Sequence, residues 1–140
     1  MRYDTDLIGN TLKTKEDKQA FLYERRACSV IALSIAEDLP FKKAQNLLSR
    51  YRNSKHSIKN YQWRDFLLNR SYKLLPKGCF GFITFYNLEK LGILNDNKTY
   101  ILLKRGHTFT IKNGVSSEKI HGKILIKAIF ERVEYPLIVI

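Results

Sequence analysis

The stretch Cys28-Ser29-Val30-Ile31-Ala32-Leu33-Ser34-Ile35-Ala36 constrains this chain more than any other feature. Wound at 3.6 residues per turn, Val30, Ile31, Leu33 and Ile35 point in several directions, and a helix apolar all round belongs in the interior. Leu39-Pro40 ends it, because the residue before proline avoids helical backbone, so the expected helix runs from Ala27 to Asp38. A central helix of this kind needs other layers to cover it. The 140 residues, 44% of them apolar, can supply those layers within one domain and are too apolar for a disordered chain.

Those layers are readable on both sides. Residues 1–13 are polar and irregular, with a Gly9-Asn10 turn, and read as an extended arm before a single domain over 14–140. Thr14 caps a first helix, with Asp17 three residues on; Ala20 and Phe21 form its apolar side, with Leu22 as a further candidate. Pro40 opens a third helix, Phe41 to Tyr51, whose Phe41, Ala44, Leu47, Leu48 and Tyr51 share one face. A fourth spans Asn60 to Leu68, with Tyr61, Trp63, Phe66 and Leu67 as its larger side chains.

After Pro76-Lys77-Gly78 the pattern changes. Thr84 caps a short helix, Phe85 to Leu91, closed by Gly92 in the left-handed region. Strands follow: Thr99 to Leu103, then His107 to Ile111 after a Lys104-Arg105-Gly106 turn. Asn113-Gly114 is a hairpin signal, and Val115 continues briefly. Lys123 to Val133 reads as a longer strand and Leu137 to Ile140 as a terminal one. Helices first and strands second predict an α+β fold, N-terminal helices packed on a C-terminal antiparallel sheet.

Two residues carry candidate chemistry. Cys28 heads the buried helix and His107 heads a strand, and a nucleophilic pair need be adjacent only in space. A thiol attacks as thiolate, so its pKa must fall from about 8.5. A helix N-terminus places partial positive charge beside the sulfur. Arg25 and Arg26 would add more if they fold nearby. His107 would take the proton, and Glu118 or Asn113 would orient the ring. Asn113 is needed by its turn, which favours Glu118. Cys79, within an apolar run, reads as core; His56 and His121 read as solvent-facing.

The order of parts resembles small papain-like-fold cysteine proteins, the peptidase-like domains common in bacteriophage and bacterial genomes. Such proteins carry a cysteine, a buried Val/Ile/Ala/Leu helix, and an aromatic-led amphipathic helix, matched here by Cys28 to Ala36 and Phe41 to Tyr51. Downstream come a short helix, a turn, a strand, a Gly-His pair opening a strand, a tight turn and an acidic residue. Phe85 to Leu91, Asn95 to Lys98, Thr99 to Leu103, Gly106-His107, Asn113-Gly114 and Glu118 stand in that order. The resemblance implies a papain-like fold and a peptidase-like hydrolase with Cys28, His107 and Glu118 as its catalytic residues. Where family members carry Asn or Asp before the cysteine, this chain has Ala27, and the nearest upstream glutamine is Gln19.

The remaining signals bound the partners. A net charge of +12, from 25 basic and 13 acidic residues, favours an acidic partner, host protein or nucleic acid, beside a peptide or protein substrate. Lys42, Lys43, Arg50, Arg52 and Lys55, and Arg64, Arg70 and Lys73, interleave with Tyr51, Tyr61, Trp63 and Tyr72 and could stack on bases or form the wet face of helices. A non-enzymatic accessory protein on the same scaffold is the alternative. No cofactor or metal is expected: the histidines and two cysteines lack zinc-ligand spacing, and no phosphate loop or G-x-S-x-G elbow is present. No apolar run approaches the roughly 20 residues that span a bilayer. Met1 to Asp6 lacks the order of a signal peptide, so the expected setting is cytoplasmic (the host cytoplasm if viral), with free thiols rather than a Cys28–Cys79 bridge.

Overall fold

The computed structural model describes residues 2–24, 26–52, 58–76 and 83–133. Arg25, the loop with Lys55 and His56, Gly78-Cys79, and the terminal Leu137 to Ile140 lie outside the described residues. Among those described the fold is α+β. Helices α1 (Lys15–Tyr23), α2 (Cys28–Glu37), α3 (Phe41–Leu48) and α4 (Asn60–Leu68) precede most of the sheet, and α5 (Phe85–Lys90) follows. The strands are β1 (Arg2–Tyr3), β2 (Tyr72–Leu74), β3 (Ile83–Thr84), β4 (Thr99–Lys104), β5 (His107–Lys112), β6 (Val115–Ser116) and β7 (Leu125–Arg132). They form one sheet ordered β1-β6-β5-β4-β7-β2, with β3 also on β7.

Local signals set most of these boundaries. The Asp17 N–H donates to Thr14 Oγ1 at 3.0 Å and the Asn87 N–H to Thr84 Oγ1 at 3.2 Å, so both threonines cap as expected. Gly92 ends α5 with φ +64°. Asn113 and Gly114 both have positive φ, 52° and 77°, the backbone of a type I′ hairpin turn. Gly106 turns β4 into β5 with φ +71°, a conformation glycine reaches without a Cβ clash.

The sequence reading needs four corrections. The sheet is mixed, because β1 runs parallel to β6 through Arg2–Val115 and Tyr3–Ser116. The N-terminal segment read as an extended arm carries that strand and a 3-10 helix, Leu7–Thr11, with Thr11 buried. Leu22 is 77% exposed rather than part of the apolar side of α1. α3 stops at Leu48, and Ser49–Tyr51 continues as a 3-10 turn. The short strands β2 and β3 carry too few alternating residues to be read from pattern alone.

Two apolar cores flank the sheet. One joins Val30, Leu33 and Ala36 of α2 to Phe41, Leu48, Trp63 and Leu67, and to Ile101, Leu103 and Phe130 on one sheet face. The other joins Phe85 and Leu88 of α5 to Tyr100, Leu102, Phe109, Ile111 and Ile129 on the opposite face. Burying each large side chain contributes about 1.5–3 kcal/mol, so α2 is held mainly by what surrounds it. Its two buried serines do not spoil this: Ser34 Oγ donates to its own helix at Ile31 O, 2.9 Å, and Ser29 is placed at the free first turn.

Asp17 ties two helices together. It is buried; its Oδ2 accepts from Thr14 Oγ1 at 2.7 Å, and its Oδ1 accepts the Lys42 N–H at 2.9 Å. The second bond caps α3 from another helix, satisfying a first-turn donor that Pro40 cannot. Burial works to raise the Asp17 pKa, and the hydrogen bonds from Lys42 and Thr14 outweigh it, leaving the carboxyl below its ordinary 3.8. Asp17→Ala is expected to lower unfolding stability by about 1–2 kcal/mol at neutral pH. Because folding depresses this pKa, the stabilisation is whole above 3.8 and fades as pH falls through the lower folded value. Denaturant unfolding of wild type and Asp17→Ala across that range checks it: the gap between them closes in acid, and a pH-independent gap contradicts this role.

Candidate active site

The docking of α2 on β5 builds the site. Thr110 Oγ1 donates to Ala32 O at 2.7 Å, and Lys112 Nζ donates to Ile35 O at 3.3 Å and pairs with Asp38 at 2.6 Å. Along both elements these contacts advance in the same direction. The first residues of helix and strand therefore lie at the same end of the molecule, and they are Cys28 and His107. Thr108 fixes that end: its Oγ1 donates to Leu102 O at 3.0 Å and receives Trp63 Nε1–H at 3.4 Å.

By strand alternation His107 shares the face of Phe109, and the two rings stack with centroids 6.4 Å apart. Its position at the strand terminus lets the imidazole meet a thiol that arrives from the helix side. Glu118 reaches the same ring through the hairpin register. Ile111 faces Ser116, the Ser117 N–H donates to Thr110 O at 2.8 Å, and the next step places Glu118 across from Phe109, diagonal to His107. Ser116 Oγ donates to Glu118 O at 2.6 Å and steadies the carboxylate's backbone. Glu118 Oε1 binds His107 Nε2, which leaves Nδ1 for the sulfur. Asn113, the other candidate orienter, is occupied in the turn, its N–H donating to Lys98 O at 3.2 Å.

The electrostatics fit a charged pair. Burial raises the Cys28 pKa, but hydrogen bonding and charge from His107, with the Thr108 and Ser29 N–H groups, bring it below its ordinary 9.0. The same thiol contact, with Glu118, raises His107 from 6.5 to about 9 against the pull of burial. A thiolate and an imidazolium are favoured together. The far end of α2 is matched to its dipole, with Lys112 on Ile35 O and Arg132 Nη1 on Ala36 O at 3.3 Å. Arg26 lines the same cleft as the thiol but is not among the largest influences on it.

The pair opens on a cleft of about 160 Å³, walled by Ile58, Trp63 and Leu103, with Arg26 also lining it. Gln19 is exposed on α1. His121 is exposed, its Nδ1 accepting from the Lys123 N–H at 3.1 Å. Among the described residues no cluster of His, Cys, Asp and Glu could hold a metal ion. The cation–aromatic clusters are partly spent: Trp63 and Tyr72 are buried, Arg70 forks onto Glu37 at 2.8–3.0 Å, Lys73 pairs with Glu131 at 3.5 Å, and Arg52 pairs with Glu24. Compared with known proteins, the chain matches no family model, no curated protein and no solved structure.

Proton NMR of His107 checks the charged pair. The imidazole is expected to hold its proton to about pH 9, and its midpoint is expected to fall in Glu118→Gln and in Cys28→Ala. Because folding raises this pKa, its stabilisation is whole below 6.5 and is lost as pH rises through about 9. A midpoint near 6.5 that neither substitution moves contradicts the pairing.

Proposed function

We propose that the chain is a papain-like cysteine hydrolase or transferase, peptidase-like, acting on a peptide or protein. The observation that carries this reading is a helix-head thiol and a histidine that share one open cleft, with a carboxylate on the far ring nitrogen that, together with the thiol, raises the histidine's basicity. Cys28 is the nucleophile, His107 the acid and base, and Glu118 the group that fixes the ring and its charge.

The chemistry balances on these three. The Cys28 thiolate attacks the substrate carbonyl carbon, forming the C–S bond. The oxygen takes the negative charge beside the Cys28 N–H, which heads α2 and has no acceptor within its own helix. Collapse breaks the C–N bond, and His107 gives its proton to the leaving amine. His107 then takes a proton from water, whose oxygen attacks the thioester; collapse breaks the C–S bond and restores the thiolate. An amine in place of water makes the same sequence a transfer.

The net charge of +12 favours a second reading, a basic accessory protein binding an acidic host protein or nucleic acid on this scaffold. Among the described residues no helix is long and apolar enough to cross a membrane. Alkylation of Cys28 by iodoacetamide separates the readings. In wild type at pH 6–7 it is expected to run at least about tenfold faster than in His107→Ala, since the thiolate is the reacting form. Rates that are equally slow in both contradict the enzymatic reading.

A further inference from the structure

Arg26 stands two residues before the thiol, exposed, and lines the same cleft as Cys28 and His107. Its backbone N–H donates to Glu24 Oε1 at 3.4 Å, while its guanidinium has no ion-pair partner among the described residues. It is not among the largest influences on the thiol either. Among the described residues no acidic side chain lines the cleft.

The cleft's size and walls limit what enters. At about 160 Å³ it is close to a cavity that holds benzene, so it takes one side chain. Ile58, Trp63 and Leu103 offer an apolar surface to a short stem, and a guanidinium offers a planar fork that matches a carboxylate. Beside the Cys28–His107 pair, whose charges answer each other, an unpaired cation in the cleft lining is a recognition element without its anion.

The geometry points to a substrate with an acidic side chain, Asp or Glu, on the acyl side of the bond attacked by Cys28, its carboxylate held by Arg26. This rests on the enzymatic reading of the cleft and adds its specificity. The residue beside the attacked carbonyl must place its side chain next to the sulfur, where the cleft lies. The chain's net charge of +12 favours approach of anionic peptides.

Alkylation with two small reagents tests Arg26 without a known substrate. Iodoacetate carries a carboxylate and iodoacetamide does not; each forms the Sγ–CH₂ bond and expels iodide. Rates are read at Cys28 by peptide mass mapping of the full chain at low salt. The iodoacetate-to-iodoacetamide ratio is expected to fall about tenfold in Arg26→Glu and by less in Arg26→Gln, the effect of a nearby charge in a partly screened site. Peptide amides with Glu, Gln or Lys before the scissile bond are expected to be cleaved in that order, with Arg26→Glu reversing Glu and Lys. A ratio unchanged in both variants overturns the assignment of Arg26. Cleavage without regard to charge also overturns it and leaves the enzymatic reading intact. A Cys28 slow toward both reagents defeats the enzymatic reading, while the ratio still reports on Arg26.

Discussion

The alignment of α2 with β5 is the constraint on which the rest of this molecule depends. A buried helix and a central strand run in the same direction and are locked by Thr110 on Ala32 and Lys112 on Ile35 and Asp38. Both contacts use polar side chains on carbonyls that the interior would otherwise leave exposed to desolvation. A shift of either element by one residue breaks them and separates the two leading residues. The apolar packing around Val30 and Leu33 supplies the energy of this arrangement, and the polar contacts select its register.

The same alignment divides the charges. Lys112 and Arg132 meet the negative end of α2, and the Cys28 thiol stands at its positive end with His107 against it. The helix therefore arrives with its dipole satisfied at the base and open at the site. The β5–β6 hairpin adds the carboxylate: a two-residue turn at Asn113-Gly114 sends the chain back along β5 until Glu118 stands beside His107. A cysteine far upstream and a histidine and glutamate on one hairpin converge through one helix docking and one hairpin register.

Much of this was legible in the residues, for physical reasons that differ by element. Helix caps at Thr14 and Thr84, the stop at Pro40 and the Asn113-Gly114 turn are local, since each is fixed by dihedral or hydrogen-bonding preferences within a few residues. The hairpin turn also favoured Glu118 over Asn113, because the turn itself needs Asn113. The parallel pairing of Arg2 and Tyr3 with β6 was not readable, since it joins segments more than 100 positions apart with two residues on each side. Asp17 as the cap of α3, and Trp63 as a buried donor to Thr108, likewise depend on tertiary neighbours that no local pattern names. Arg26 shows the same limit: proximity in sequence to Cys28 did not make it one of the largest influences on the sulfur.

The central claim is that folding stabilises a thiolate at residue 28 through the imidazole at residue 107. The most direct measurement is the far-ultraviolet absorbance of the thiolate against pH, taken as wild type minus Cys28→Ala. The account predicts a half-point below the ordinary thiol value of 9.0 that moves upward in His107→Ala. A half-point at or above 9.0, indifferent to loss of the histidine, would contradict it.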